Sequence, residues 1–436
     1  MNKATFLELS SFQALAMFRR GMFYNFLSVY LRFYLGMSVT ETTFFATFPM
    51  VLNVLFQSVL WGPLSDRFQK RRTLIIIGEI AASISTVAVW YVHTVPSNRY
   101  TAGYVIIIGL SLVEAFWSMS NVGWTALLSD LYPAEKRIGL QGRLASIGAV
   151  GRLFGVWTGG YLYDGFSHFY EGWGFSEGPL FFIASTIMFI SAFPMFFVPE
   201  GGIRKSRTDI HDPKKLDSPT DLAYAKEVSR ILLVFLIALV FINFGRNSIA
   251  LIKAQYLSLD SGFDVSSRSL SFILNVESIG ILLAGIMIGG VATRLGDGRL
   301  LISGTFIALV YLIGFAWADT LILVYLLNFT SGISFAVIQA ASYSFASRLI
   351  PPEMRGKQFA RFNATFFLSW GIPGTVIAGP IIDILIRSGS SQVFAYRMSF
   401  MAAGAMVLIG MIILFLAMRM ACSVLGLELK CDRDEV

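Results

Sequence analysis

Long apolar runs separated by short polar stretches follow one another along this chain of 436 residues. A helix of about 20 apolar residues crosses the hydrocarbon core of a bilayer, a length over which soluble helices rarely stay apolar on every face. Runs of this kind occur at 12–35, 42–61, 73–94, 102–129, 139–163, 179–198, 231–257, 269–292, 299–317, 320–346, 358–386 and 394–420. The pattern predicts an all-α membrane protein with about 12 transmembrane helices.

One polar break, Glu200 to Arg230, separates the first six runs from the last six. It carries Lys and Arg residues with Pro and Asp between them, which is typical of a linker. We therefore expect an N-terminal six-helix bundle at 1–199, a cytoplasmic linker at 200–230, a C-terminal six-helix bundle at 231–420 and a cytoplasmic tail at 421–436.

Loops that alternate along the chain differ in basic charge. The rich set contains Arg67, Lys70, Arg71, Arg72, Lys136, Arg137, the linker cluster, Arg294, Arg299, Arg348, Arg355 and Lys357. The poor set contains little beyond Arg99, Arg268, Arg387 and Arg397. Because Lys/Arg-rich loops stay in the cytoplasm, both termini are predicted to lie inside, and the chain is predicted to be a multi-pass protein of the cytoplasmic (inner) membrane.

The two predicted bundles repeat each other in sequence. Three pairs of segments correspond in chain order, around Pro133 and Pro351, Arg20 and Arg246, and Gly62 and Gly289, at offsets of 218, 226 and 227 residues. Matches in order at similar offsets predict two pseudo-symmetric bundles about a central axis, with a site between them near the middle of the membrane.

Composition agrees with a membrane protein and excludes several classes of function. The chain is 55% hydrophobic and 14% charged, whereas soluble domains carry roughly 25% charged residues. The net charge of +7 resides in loops between spans, so nucleic acid is not expected as a partner. Cys422 and Cys431 stand near the C-terminus, and the three histidines are scattered, so no disulfide framework or metal site is expected. No nucleotide-binding loop or nucleophilic triad is apparent, so we expect no cofactor and no enzyme activity.

The stretch from Gly62 to Arg72, read as a short loop between two spans, resembles the helix 2–3 loop of the major facilitator superfamily, G-x-L-[AS]-D-[RK]-x-G-[RK]-[RK]. Only the second glycine differs, replaced by Gln69. The resemblance implies the major facilitator fold and alternating access between two bundles. It also implies a small-molecule substrate, protons or a counter-ion, a surrounding of membrane lipid and a monomeric protein.

The same resemblance implies a conformational latch. In the family, the aspartate of this loop pairs with nearby charges and with a helix N-terminus of the other half, where a carboxylate is stabilised by roughly 0.3–1 kcal/mol. The corresponding residues here are Gly62, Asp66, Arg67, Arg71, Arg137 and Arg355. Thr293 stands where the second copy would have its aspartate, so the latch is expected on one side only.

Arg20 and Arg246 lie inside predicted spans at equivalent places of the repeat. A cation at mid-helix costs about 2.5–3.5 kcal/mol on insertion scales, so each is expected to face a cavity or a partner. Transporters of organic phosphates look similar, with one arginine from helix 1 and one from helix 7, and a guanidinium forks onto two oxygens. Two interpretations stay open, contact with an anionic substrate and pairing with an internal carboxylate.

Glu114 is the preferred proton-coupling residue. It stands in helix 4 where many proton-coupled exporters of the family have an arginine, and Asn328 fills the copy in the second half. Glu79 and Glu277 are the rival carboxylates. The predicted substrate-binding residues are Arg20, Tyr24, Glu114, Trp117, Asn121, Arg246 and Asn328.

Helix 5 resembles the exporter signature G-x8-G-x3-G-P-x2-G-G in its glycines, Gly142, Gly151, Gly155, Gly159 and Gly160, with Val156 in place of the proline. Close packing of helices explains such glycines equally well. Arg152 in the same helix either lines the cavity or reaches a carboxylate such as Glu114.

The sequence favours proton-coupled export of a small organic molecule by a secondary transporter. The first alternative is a transporter or exchanger of an organic anion, including a phosphorylated solute, that uses Arg20 and Arg246. A remoter alternative is a non-transporting receptor on the same scaffold.

Overall fold

The computed structural model describes residues 3–132, 134–201, 219–350, 361–366 and 368–425, except the side chains of 66, 129, 134–139, 141, 142, 219–225, 293, 347, 424 and 425. All regular secondary structure in these ranges is helical. Eight of the described helices are long and apolar enough to cross a membrane. The predicted fold class, an all-α membrane protein, is confirmed.

Twelve helical segments in the described ranges are labelled in chain order. They are α1, Lys3–Val29; α2, Val39–Phe56; α3, Arg71–His93; α4, Arg99–Leu131; α5, Ala134–Leu162; α6, Pro179–Met195; α7, Pro219–Ser248; α8, Ser267–Leu295; α9, Asp297–Trp317; α10, Leu321–Leu349; α11, Gly379–Arg387; and α12, Gln392–Leu425. Helical residues 361–366 precede α11, and we call them the first part of α11. The end of the molecule that the charge pattern assigns to the outside is called the outer end.

Side-chain caps begin several helices at the outer end. Ser38 and Glu41 form a capping box on α2, in which the Ser38 backbone N–H donates to Glu41 Oε2 over 2.9 Å. Asn98, Ser266 and Thr320 each accept a hydrogen bond from a backbone N–H in the first turn of α4, α8 and α10. These caps satisfy donors that have no partner within the helix.

Three π turns lie in the described residues: Tyr30–Tyr34 ends α1, and the other two change the helices that sequence patterning predicted. Gln57–Trp61 forms one, after which Gly62–Phe68 continues α2 as helix, so the stretch predicted as a loop is helical up to Phe68. Gly374–Ala378 forms the other, directly before α11. Each precedes a Gly-Pro pair, and the wider turn makes room for a proline that lacks an N–H donor. The predicted continuous span 358–386 is interrupted earlier, by the turn residues 368–371 that separate the helical residues 361–366 from residues 372–387.

The other departure is at α7. It begins at Pro219, inside the predicted linker, and a turn after Ser248 separates it from a short helix, Ile252–Leu257.

The packing of helices repeats between the halves. In the N-terminal half α1 packs on α6, α2 on α4, α3 on α4 and α3 on α6. In the C-terminal half α7 packs on α12, α8 on α10, α9 on α10 and α9 on α12, which are the equivalent pairs six helices later. Two seams join the halves, α5 against α8 and α2 against α11, and they are also equivalent. The two halves are therefore pseudo-symmetric bundles that meet along two seams.

Candidate functional site

Hydrogen bonds between the halves hold the outer end closed. The Asp383 carboxylate of α11 accepts from the backbone N–H groups of Val39 and Thr40, at 3.0 and 2.8 Å, in the first turn of α2. The Thr375 hydroxyl lies 2.8 Å from that of Thr43 and 2.7 Å from that of Thr47. We call these contacts, at the outer end of the α2–α11 seam, the outer seam.

Close backbone approach supports the outer seam. A Cβ added to Gly379 would lie 2.7 Å from Thr40 Cα, and one added to Gly371, whose φ is +149°, would lie 2.6 Å from Thr47 N. Across the same end, the Gln255 amide donates to the Ser28 carbonyl at 3.2 Å. The two halves are in direct contact here.

Acidic residues from outer loops of both halves lie near one another. Asp164 and Glu171 follow α5, and Asp260 and Asp264 follow α7. Loss of hydration raises the pKa of Glu171, and the negative charges of Asp260, Asp164 and Asp264 raise it further. The Asp164 carboxylate also accepts from the Ser267 hydroxyl at 2.7 Å, which links α8 to the N-terminal half.

The inner parts of α4 and α10 expose a face different from that of their outer parts. Leu112 of α4 and Leu326 of α10 are exposed on apolar outer faces. Nine residues further, or two and a half turns, Asn121 and Phe335 lie on the opposite faces. The inner faces consist of Trp117, Asn121 and Thr125 on α4, and Phe335, Gln339 and Tyr343 on α10, partly or fully exposed and matched at the offset of 218. Their mixed polar and aromatic character assigns them to an inner cleft and the apolar outer faces to lipid.

Two cation–aromatic contacts at the head of the inner cleft obey the same symmetry. The Arg20 guanidinium lies 4.4 Å from the centre of the Trp117 ring, and that of Arg246 lies 5.3 Å from the centre of the Phe335 ring. Arg20 and Arg246 are equivalent in the repeat, as are Trp117 and Phe335. Contacts of this kind are worth about 0.5–2 kcal/mol.

Glu114 sits behind Trp117 in a hydrogen-bonded network with only 8% of the residue exposed. Tyr24 Oη donates to Glu114 Oε1 at 2.9 Å, and Asn53 Nδ2 donates to Glu114 Oε2 at 2.8 Å. Gln57 in turn donates to the Asn53 side chain. Both donors to the Glu114 carboxylate are neutral groups.

Arg19 supplies a buried positive charge beside this network. It is 4% exposed, and its guanidinium lies 6.0 Å from the centre of the Tyr24 ring and 5.7 Å from that of Trp117. It interacts electrostatically with Glu79 and Glu114. Arg19 and Arg20 thus balance Glu79 and Glu114.

Glu79 lies deeper, between α3, α4 and α6, and is 2% exposed. The Ser120 hydroxyl donates to Glu79 Oε1 at 2.7 Å and the Ser191 hydroxyl to Glu79 Oε2 at 3.4 Å. These contacts are internal to the N-terminal half.

Glu277 of α8 is the centre of a second charged group. Lys253 Nζ lies 2.7 Å from Glu277 Oε2, and both side chains are largely buried. Glu277 also interacts electrostatically with Arg152 of α5 and with Arg246. The sequence allowed Glu114 as a partner of Arg152, but in the structure Arg152 interacts with Glu277.

Asn328, the predicted counterpart of Glu114, is fully buried, and its amide donates to the Val324 carbonyl of its own helix at 2.9 Å.

The loop signature supports the inner end of the N-terminal half. Arg71 is buried, bonds to the Ser65 hydroxyl and lies 3.4 Å from Asp130 Oδ2. Arg67 is exposed beside the Phe68 ring, and Gly62 packs closely on its own helix, at the Gln57 carbonyl. The remaining predicted members, the Asp66 and Arg137 side chains and all of Arg355, lie outside the described residues, as does the packing of Gly142.

The other predicted glycines form a close seam within the N-terminal half. A Cβ added to Gly151, Gly155 or Gly159 would lie 2.2, 1.9 or 2.5 Å from backbone carbonyl oxygens of α1. Gly160 instead meets Ser271 of α8.

In the C-terminal half a groove of about 630 Å³ separates α7 from the first part of α11. It is lined by Leu233, Ile237, Val240, Phe244 and Leu368 among others.

The family follows from a comparison of the whole chain. The model of the Major Facilitator Superfamily matches residues 9–374, with a second match at 235–421. The chain belongs to the Major Facilitator Superfamily. Multidrug resistance protein MdtG of Rahnella sp. (strain Y9602) is 22% identical over 339 residues, covering 76% of this chain and 75% of MdtG. Multi-drug resistance efflux pump PmrA of Streptococcus pneumoniae serotype 4 (strain ATCC BAA-334 / TIGR4) is 23% identical over 356 residues, covering 80% of this chain and 82% of PmrA.

Solved structures of other transporters share the fold of this Major Facilitator Superfamily member. A bacterial homologue of the human lysosomal transporter Spinster, in an inward-facing and unoccupied conformation, superposes with a TM-score of 0.70 at 16% identity, covering 97% of this chain and 99% of that one. A point mutant of the nucleoside transporter NupG superposes with a TM-score of 0.72 at 16% identity, covering 95% of this chain and 99% of that one. The resemblance inferred from the Gly62 stretch is confirmed.

Four residues of these networks were not singled out from the sequence. Arg19 adjoins Arg20, and Lys253 follows Arg246 in the apolar run 231–257, so the cost of a charge within a span was an available signal. Asn53 lies one turn before Gln57. Asp383 lay inside a predicted span, and its partners are backbone groups of another helix, which no sequence pattern reveals.

Proposed function

We propose that this transporter exports a small organic molecule across the cytoplasmic membrane in exchange for protons. The observation that carries the proposal is the Glu114 carboxylate, which is held by neutral donors and lies one turn from Trp117 on the inner cleft. The names of MdtG and PmrA support export, since both are described as multidrug proteins. The aromatic and amide side chains of the cleft suit an amphipathic organic solute.

The geometry around Glu114 links its protonation to Tyr24. An ionised Glu114 accepts from both Tyr24 Oη and Asn53 Nδ2, as observed. A protonated Glu114 can still accept from Asn53, but its own O–H must donate to Tyr24 Oη, so the tyrosine proton turns away. Neutralising Glu114 also leaves Arg19 and Arg20 with only Glu79 as a counter-charge. Proton binding therefore changes the hydrogen bonds and the net charge beside Trp117.

The two rival carboxylates fit this role less well. Glu277 forms a direct ion pair with Lys253, and protonating it would leave several cations in the membrane without a counter-charge. Glu79 is held by Ser120 and Ser191 inside the N-terminal half, away from the cleft. Glu114 alone of the three adjoins a side chain of the cleft face.

Proteoliposomes carrying Glu114→Gln test the proposal. A solute that raises the unfolding temperature of the purified protein, found among lipophilic cations and organic anions, serves as the substrate. Glutamine keeps both hydrogen-bonding positions but binds no proton. We expect the variant to bind the solute and exchange it between equal compartments, yet to fail to concentrate it under a pH gradient.

The matched control is Glu227→Gln, which changes an exposed carboxylate at the inner end of α7 and should leave uphill transport intact. Uphill transport by Glu114→Gln at the wild-type rate would overturn the proposal. The same assay in Glu79→Gln and Glu277→Gln would then identify the carboxylate that carries the proton.

The alternative is an organic-anion exchanger that binds its substrate with Arg20 and Arg246. Only the surroundings of Arg246 support it. Arg20 is close to the carboxylates of its own half and stacks on Trp117. Arg246 belongs to a group with more positive than negative charge, as described next.

A further inference from the structure

The charged group around Glu277 contains more cations than anions. Lys253, Arg246 and Arg152 all interact with its single carboxylate. Arg246 and Lys253 are 7% and 5% exposed. Among the described residues, Asp and Glu of the C-terminal half other than Glu277 lie near helix ends or in loops, or, in the case of Asp383, at the outer seam. Two positive charges are therefore left without a counter-charge.

In the N-terminal half, by contrast, the positive and negative charges of the group around Glu114 are equal in number. There Arg19 and Arg20 face Glu79 and Glu114, so the buried charges cancel. Uncompensated cations inside a membrane are costly, and they mark binding sites for the opposite charge. The imbalance is confined to the group around Glu277.

The unused donors of this group point to the kind of ligand. Arg246 Nε is buried and has no hydrogen-bond partner among the described atoms. The Arg152 side chain forms neither a hydrogen bond nor an ion pair within the described part of the chain. Ser278, next to Glu277, has a buried hydroxyl without a partner. A guanidinium group matches the two oxygens of a carboxylate or phosphate in a forked contact.

We propose that Arg152 and Arg246 form an oxyanion-binding site beside the Lys253–Glu277 ion pair. The ligand is a carboxylate or phosphate group, carried by an organic solute or present as a free inorganic anion. Lys253 is already paired with Glu277 and supplies background charge. The free donors are the Arg152 guanidinium and Arg246 Nε, while the rest of the Arg246 group also interacts with the Tyr311 hydroxyl.

The site takes one arginine from each half. Arg152 belongs to α5 and Arg246 to α7, and the α5–α8 seam brings Arg152 to Glu277. An oxyanion bound between the two arginines therefore bridges the halves, and neither half forms the site alone.

Thermal unfolding of the purified full-length protein tests the site without requiring transport. The probes are sodium phosphate and sodium benzoate, each compared with sodium chloride at equal ionic strength so that screening is matched. At a probe concentration about tenfold above its dissociation constant, we expect the unfolding temperature of the wild type to rise by ~2 °C or more. Arg152→Gln and Arg246→Gln should lose this rise. In sodium chloride alone, Arg152→Gln should unfold at a higher temperature than the wild type, because the substitution removes an uncompensated charge.

Arg230→Gln is the matched control, since Arg230 is an exposed arginine on the same helix as Arg246 and should respond as the wild type does. Arg246→Lys keeps the charge but loses the fork, so a reduced rise in that variant supports the site even where Arg246→Gln folds poorly. A rise with both probes supports a site for any oxyanion, and a rise with benzoate alone supports the carboxylate of an organic solute. No rise beyond chloride in the wild type, or an equal rise in Arg152→Gln and Arg246→Lys, would overturn the proposal.

Discussion

Asp383→Asn is the sharpest perturbation of the outer seam. The wild-type carboxylate accepts two backbone N–H groups at the start of α2, where the positive end of the helix dipole adds to both bonds. Asparagine removes the charge and replaces one acceptor oxygen with an NH2 group that faces an N–H donor. Outer opening must break both bonds, so the substitution destabilises the closed outer end selectively.

The magnitude follows from the hydrogen bond lost. A hydrogen bond to a charged group contributes about 1.5–3 kcal/mol. Since about 1.4 kcal/mol corresponds to a factor of ten, the equilibrium should move toward the open outer end by about 10- to 100-fold. A population of the open state of ~1% in the wild type would then rise to about 10–50%.

Distances between spin labels at Ser97 and Arg387, two exposed outer positions in opposite halves, measure this population. Cys422 and Cys431 are first replaced by serine so that the labels attach only there. Asp383→Asn should add a longer distance component that the parent lacks. The control is Asp319→Asn, an exposed outer aspartate that pairs with Arg397 inside one half. An unchanged distribution in Asp383→Asn, or the same change in both variants, would refute the reasoning.

Two further predictions concern packing and pH. Gly155→Val puts a Cβ 1.9 Å from the Phe18 carbonyl oxygen, so it should destabilise the fold by about 1–3 kcal/mol or more and lower the unfolding temperature in detergent. In the control, Gly285→Val, the added Cβ meets nothing within 4 Å, so the unfolding temperature should stay unchanged. Equal losses of stability in the two variants would contradict the prediction. The pKa of Glu171 is raised above its ordinary value of about 4.3, so the protonated carboxyl stabilises the closed outer loops. This stabilisation is present at acidic pH and is lost as the pH rises through the raised pKa. The Ser97–Arg387 distance should therefore lengthen with rising pH in the wild type but not in Glu171→Gln, and a pH-independent wild-type distance would argue against it.

Sequence patterning predicted the architecture because each physical rule behind it acts locally. Run length gives the helices, and the repeat predicted that Arg20 and Arg246 occupy equivalent places. Their cation–aromatic contacts, which the structure places at equivalent positions, were not predicted. Contacts between helices distant in the chain were harder to predict. Arg152 could reach either Glu114 or Glu277 from its place on α5, and only the α5–α8 seam decides between them.

Helix continuity was predicted less well than the all-α class of the chain. Gly-Pro pairs at Gly62 and Gly379 are visible in the sequence, but a wide turn, a kink and a loop are all compatible with them. The structure forms a π turn before each pair, which keeps α2 helical through a stretch that reads as a loop.

The π turns at Gln57–Trp61 and Gly374–Ala378 belong to helices of the same seam, α2 and α11, whereas the opposite seam is built from the unbroken helices Ala134–Leu162 and Ser267–Leu295. The two flanks of the molecule therefore differ in stiffness. If the halves rotate against each other during transport, we expect the stiff α5–α8 flank to serve as the axis and the α2–α11 flank to travel further. The oxyanion site lies by the axis, and the bonds of Asp383 and Thr375 lie on the flank that opens. A solute dissolved in the lipid would accordingly meet the widest lateral gap on one side of the protein only.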